Sequence, residues 1–252
     1  MIGTFTASLF ETPSVQRFME GIVRDLGNRQ SILVILHFGV EPRDLWNNLV
    51  KRLWVKDFRC QEVILDKKSQ DQDPIIQISR SLRLEWPSPT HPRTISNMLA
   101  LDGLPDIIYL EGLNDLDRSA VAGWISLIEL WATVSHRSAD SGELHPAIVA
   151  IVSASSLPSQ IPASDIYFAL HWWWGFPSLL ETHLLCRLAN GNEEWDHSSR
   201  WREHLLSSIS SGDVRVLDFL WPDFIELDIV EISRRLVAFS EKNGWEKDLL
   251  KE

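Results

Sequence analysis

SILVILHFGVEPRDLWNNLVKRLW, residues 31–54, decides the fold. Its first eight residues, Ser31–Phe38, are apolar without the alternation that a half-exposed strand would show, and they are rich in β-branched and aliphatic side chains. A strand of that kind is buried on both faces, as in a parallel sheet covered by helices. A short acidic connection follows, and then a helix from about Pro42 to Leu53 with proline in its first turn. Strand, tight connection and helix together form the opening of a βαβ unit, and Cys60–Asp66 (CQEVILD) supplies its second strand.

The connection Gly39–Asp44 stands where a phosphate-binding loop, G-x-x-x-x-G-K-[ST], would begin. In that motif backbone N–H groups cradle phosphates, a lysine meets their charge and a hydroxyl meets Mg²⁺. Gly39 in the first slot puts Asp44, Leu45 and Trp46 in the slots of the second glycine, the lysine and the hydroxyl. The permissive glycine, the cation and the metal-linked hydroxyl are all missing. Gly39, Glu41, Arg43 and Asp44 therefore mark a degenerate phosphate-loop region, in which Glu41 and Asp44 place negative charge where phosphate would sit. Both acids suit a helix N-terminus, whose unpaired N–H groups and dipole favour carboxylates.

The rest of the chain supports a substantial α/β core. Its 252 residues are 44% hydrophobic, enough for one large domain or a domain with an appendage. A net charge of −11 argues against broad electrostatic binding to nucleic acid or anionic membrane and leaves only a local basic patch open. Cys60 and Cys186 are far apart and lack metal-ligand spacing, so neither a disulfide framework nor a zinc site is expected and a reducing cytoplasm fits. No leader pattern and no apolar run of about 20 residues occurs, which predicts a soluble protein.

Upstream, Thr12-Pro13-Ser14 opens a helix with Val15, Phe18, Met19, Ile22, Val23 and Leu26 at helical spacing, closed by Gly27. Downstream, Lys67–Pro74 reads as a polar loop, Ile75–Leu84 and Thr94–Leu101 as helices, and three prolines in Trp86–Pro92 as a break between them. Ile107–Leu110 is a strand ending on Glu111. Asn114 is expected to cap the next helix, with Asp117 in its first turn, and Val121, Trp124, Ile125, Ile128 and Trp131 mark that helix's core face. Ala147–Ser153 is a second fully apolar strand, and Asp165–Leu170 a fifth, leading into His171-Trp172-Trp173-Trp174. Helices are expected at Ser178–Leu188, Trp195–Ile209, Val214–Leu220 and around Ile229–Asn243, which places a domain change near Gly175.

This succession of SILVILHF, GVEPRD with its helix, CQEVILD, PDIIYLEG, AIVAIVSASS and DIYFALHW, followed by helices, resembles the P-loop NTPase core of AAA+ and STAND ATPases with a degenerate phosphate loop and no Walker A motif. The resemblance implies a three-layer, mostly parallel α/β sheet in residues 1–175 and a helical lid-like portion in residues 176–252. It also puts Glu111 where such enzymes carry the acid that orders Mg²⁺ or activates water, and Ser153 where they carry a polar residue sensing the γ-phosphate. The family works by nucleotide-driven assembly. With Asp44, Leu45 and Trp46 in the phosphate loop, the expectation here is a catalytically inactive scaffold or adaptor without a cofactor or metal, acting on another protein such as an active NTPase or effector. NTPase-like modules of this kind occur in prokaryotic defence and signalling complexes.

Two alternatives stand beside it. An ATPase with an atypical phosphate loop is one. The other is a Mg²⁺-dependent nuclease, since EGLND at Glu111–Asp115 is similar to the Glu-Gly-x-x-Asp start of Toprim domains; it would use Glu111, Asp115 and Asp117, although no later strand ends in the Asp-x-Asp that two-metal chemistry needs. Twelve tryptophans include the run Trp172–Trp174, which is expected at the junction of the two portions or as partner-binding anchors. His171, His183 and His197 show no metal spacing, and no G-x-S-x-G nucleophile turn is present.

Overall fold

The computed structural model describes residues 9–36, 40–84, 89–139, 145–157 and 168–173, together with Glu231, Arg234, Arg235 and Ala238. Among the described residues up to Trp173, ten elements follow one another: α1 (Pro13–Gly27), β1 (Ser31–Leu36), α2 (Pro42–Trp54), β2 (Cys60–Ile64), α3 (Pro74–Ser81), α4 (Pro92–Leu99), β3 (Ile107–Glu111), α5 (Arg118–Ala139), β4 (Ala147–Ser153) and β5 (Phe168–Trp173). Short 3-10 turns at Lys67–Ser69, Leu113–Asp115 and Ala154–Ser156 join some of them.

The five strands form one sheet in the order β2-β3-β4-β1-β5, and every pairing is parallel. β1 lies inside the sheet, with Ile32 opposite Val149 on β4 and opposite Ala169 on β5. All six of its residues are buried, as its unbroken apolar run requires. One face of the sheet presents Leu33, Ile35, Ile108, Leu110, Ile148, Ala150 and Val152 to α3, α4 and α5, and Trp124, Trp131, Ile95 and Ile78 fill that layer. Trp131 is wholly buried and donates its indole N–H to the Pro146 carbonyl over 2.8 Å, so its polar edge is satisfied.

The opposite face carries Tyr109, and α2 lies on it through Trp46, whose ring stacks on Tyr109 with centroids 4.3 Å apart. His171 shares that face by register with Val34. It meets Asp25 of α1 over 2.9 Å, and burial pulls its pKa down against the pull of Asp25 upward. Helices therefore cover both faces, the three-layer α/β arrangement expected from the strand patterns.

The chain divides into two compact units, residues 17–174 and residues 1–16 with 175–252. The four described positions of the second stretch are helical, and Glu231 pairs with Arg234 and Arg235 one turn on. The helices expected at 178–188, 195–209 and 214–220 lie outside the described residues. Among the described residues no helix is long and apolar enough to cross a membrane.

Three local expectations are corrected. β5 continues past the expected end at Leu170 to Trp173, because its backbone stays in register with β1 as far as Leu36. Asn114 does not cap α5. It sits in a 3-10 turn, accepts the Ser153 N–H over 2.6 Å and donates to the Ile151 carbonyl, fastening the exit of β3 to the end of β4. Glu41 occupies the N-cap position of α2, but its side chain makes no capping hydrogen bond.

Candidate functional site at the carboxyl ends of the strands

In a parallel α/β sheet, ligands bind in the crevice beyond the carboxyl ends of the strands. Here that edge receives the start of α2 and the ends of β2 and β3. Arg43, in the first turn of α2, reaches across both strands. Its Nη1 donates to Glu62 Oε2 of β2 over 2.8 Å and to Glu111 Oε2 of β3 over 2.7 Å. Trp46, one turn on, donates its indole N–H to the other Glu62 oxygen over 2.9 Å. One guanidinium and one indole thus engage two carboxylates on neighbouring strands.

Packing explains why α2 lies where it does. Leu45, Trp46, Leu49 and Leu53 are its buried positions, and Leu45 and Trp46 are completely enclosed. These two residues fall in the slots that the lysine and the hydroxyl would fill in a phosphate loop. Both are core positions, Trp46 against Tyr109 of the sheet. Asp44, in the slot of the second glycine, has its carboxyl pushed up by burial first and by the neighbouring Glu41 second, so negative charge is disfavoured there rather than balanced. Gly39 lies outside the described residues.

The two carboxylates of the cluster differ. Burial alone would raise Glu62, but the hydrogen bonds from Arg43 and Trp46 and the charge of Arg43 outweigh it and hold Glu62 below the usual carboxylate range. Burial raises Glu111, and the Glu62 charge adds to that rise against the pull of Arg43. Arg43 is held up by its Glu62 hydrogen bond, with the charges of Glu111 and Glu62 adding to it. Glu111 is therefore the carboxyl that takes a proton first as the solution is acidified.

The sign of the linkage follows. Glu62 binds its proton less well folded than unfolded, so its contribution is present above the ordinary glutamate pKa and is lost as pH falls through its lower folded value. Glu111 binds its proton better folded, so its ionised form opposes folding at neutral pH and the penalty disappears as pH falls through its raised value. Arg43→Gln removes the shared cation from both. Because these side chains are partly exposed, the variant is expected to be about 1 kcal/mol less stable than wild type near neutral pH, with the gap closing on acidification. Urea unfolding across a pH series measures this; a gap that grew toward acid would contradict the assignment.

The remaining acids are engaged elsewhere. Asp117 accepts from Gln70 Nε2 over 2.9 Å and lies 3.5 Å from Lys67 Nζ, while Asp115 is exposed in the 3-10 turn. Glu111, Asp115 and Asp117 do not converge, and among the described residues no group of three His, Cys, Asp or Glu side chains is placed to hold a metal ion. The glycine of EGLND has a local explanation. Gly112 has φ +90°, and a Cβ there would lie 2.8 Å from the Leu65 carbonyl oxygen, so the close approach of the exits of β2 and β3 demands glycine. Ser153 receives Asn114 at its backbone N–H. Trp172 and Trp173 end β5, opposite Ile35 and Leu36, and Trp174 lies outside the described residues.

A cavity of about 370 Å³ opens at the opposite, amino-terminal edge of the sheet, lined by Arg29, Arg59, Asp106 and His145 among others. Arg29 and Arg59 are both paired with Asp106. Asp106 accepts from Arg29 Nη2 over 2.8 Å and from the Arg59 backbone N–H over 2.7 Å, and the Arg29 guanidinium lies over the Phe58 ring. It tethers the starts of three strands.

Glu62 is the one member of the carboxyl-edge cluster that the sequence reading passed over. Beside Gln61 in a strand that is mostly not buried, Glu62 gave no compositional signal of its own.

No family model matches the chain. No curated protein matches it either. Among solved structures, the chain is similar to Cdc6p from Pyrobaculum aerophilum, with a TM-score of 0.49 and 14% identity over 92% of this chain and 63% of that one. It is also similar to Rif2 from Saccharomyces cerevisiae, with a TM-score of 0.45 and 10% identity over 98% of this chain and 88% of that one. The chain thus spans less than two thirds of the length of the Cdc6p chain.

Proposed function

We propose that this chain is an AAA+-like or STAND-like P-loop NTPase scaffold that has given up phosphate chemistry and acts by binding another protein, as an adaptor to an active NTPase or effector. The observation that carries this reading is the Arg43 bridge between Glu62 and Glu111. At the carboxyl edge, where a nucleotide enzyme needs donors free for phosphate and an acid free for Mg²⁺, the cation is spent on the protein's own carboxylates. Leu45 and Trp46, in place of lysine and hydroxyl, are core residues. A defence or signalling complex is a setting in which such a module would serve.

Calorimetric titration with ATP and GTP in the presence of Mg²⁺ tests the reading. The expected result is no saturable heat. Micromolar binding, or turnover lost in Glu111→Gln, would overturn it in favour of an atypical nucleotide site.

A further inference from the structure

We infer that the outer edge of β2 is a docking site for an acidic, extended segment of another protein, which adds to the sheet as one more strand. The inference deepens the scaffold reading and rests on it, because it names the surface and the chemistry of the partner.

The backbone supplies the first observation. Ile107 N–H donates to the Arg59 carbonyl over 3.1 Å, and Leu65 N–H donates to the Glu111 carbonyl over 2.9 Å. The N–H and C=O of one strand residue point to the same side, and successive residues alternate. Arg59, Gln61, Val63 and Leu65 therefore face β3, while Cys60, Glu62 and Ile64 turn their backbone groups away from it. Among the described residues no strand lies on that side. Three residues' worth of donors and acceptors form a ready template for pairing.

The second observation is apolar. Ile64 ends the strand and is 72% exposed, while Trp54 and Val55, which end the helix leading into it, are 62% and 86% exposed. An exposed apolar side chain at the end of the free edge, with two more on the segment that leads into it, suits the alternate residues of an added strand.

Charge selects the occupant. Every lysine before residue 242 lies in residues 51–68: Lys51 and Lys56 before β2, Lys67 and Lys68 after it. That span carries six basic and three acidic residues in a chain whose net charge is −11. Glu62, the acid within the strand, is already held by Arg43 and Trp46. Edge lysines oppose pairing with a like edge. In a two-fold antiparallel pairing of two copies, Lys56 before the strand of one would approach Lys67 and Lys68 after the strand of the other. Lys56 before the strand and Lys68 after it, beside Lys67, which already lies 3.5 Å from Asp117, attract an acidic segment at both of its ends.

The probe is a blocked synthetic peptide of alternating valine and glutamate, about seven residues long to match the edge, against a control with lysine in place of glutamate. We expect the acidic peptide to bind the full chain and to slow amide hydrogen exchange at Cys60, Glu62 and Ile64, with the basic control at least about tenfold weaker. The double substitution Lys56→Glu with Lys68→Glu should weaken binding by about tenfold. Ile64→Pro, which removes an outward N–H that the sheet does not use, should abolish it. Equal affinity for the two peptides, binding without protection of those three amides, no binding of either peptide, or dimerisation of the chain that Ile64→Pro removes would each overturn the inference. Nucleotide calorimetry on the same sample keeps the two readings separable. ATP binding with edge pairing intact defeats only the scaffold reading, and no ATP binding with no edge pairing defeats only this one.

Discussion

Trp46→Ala is expected to lower the unfolding free energy by about 3–5 kcal/mol, the usual cost of emptying a large aromatic site in a core. The indole is wholly buried, stacked on Tyr109, and bonded to Glu62 through its N–H. Removal loses the packing on both sides and takes one of two donors from a carboxylate that burial already penalises. Against a total stability of about 5–15 kcal/mol for a domain, the variant would stand near the limit of folding. Trp46→Phe separates the contributions. It keeps a ring against Tyr109 and gives up the hydrogen bond, so its cost should be smaller, of the order of 1–3 kcal/mol. Urea unfolding of the three proteins decides, and an alanine variant about as stable as wild type would mean that α2 does not pack as described.

Gly112→Ala is the second large effect. A side chain there is strained by φ +90° whatever surrounds it, and its Cβ would also press within 2.8 Å of the Leu65 carbonyl oxygen. Neither backbone can retreat freely, because Leu65 N–H is bonded to the Glu111 carbonyl one residue away. The expected cost is about 2–4 kcal/mol, from the forbidden dihedral and the weakened bond together. Gly103 supplies the comparison. It has φ +82° with nothing within 4 Å of a built Cβ, so Gly103→Ala should show the dihedral strain alone. If the two variants unfolded at the same urea concentration, the close approach of β2 and β3 would carry no weight.

What was legible in the sequence was whatever repeats along a single element. Ser31–Leu36 and Ala147–Ser153 declared themselves as buried parallel strands because a strand covered on both faces cannot hide its composition. The face of α5 was visible at Val121, Trp124, Ile125, Ile128 and Trp131 for the same reason. What escaped were side chains whose partners lie on other elements. Asn114 has the residue type and place of a helix cap, but its hydrogen bonds run to β4, 37 and 39 residues away. Arg43 stood out only as part of a failed phosphate loop. Its two carboxylates lie 19 and 68 residues along the chain, and nothing in PRD announces them. The end of β5 was read short at Leu170, whereas register with β1 keeps the strand going to Trp173.

The position of β1 inside the sheet has a consequence for how the chain is made. Its neighbours β4 and β5 emerge from the ribosome more than a hundred residues later, as the pairing of Ile32 with Val149 and Ala169 requires. Until then a six-residue aliphatic strand has neither of its ladders, and the contacts that will stabilise it close long loops. Of the elements made before β4, α5 packs on β1 and covers the face that carries Leu33 and Ile35. A chain halted before Ala147 therefore leaves both backbone edges of β1 unpaired, and exposed strand edges of that kind are aggregation-prone.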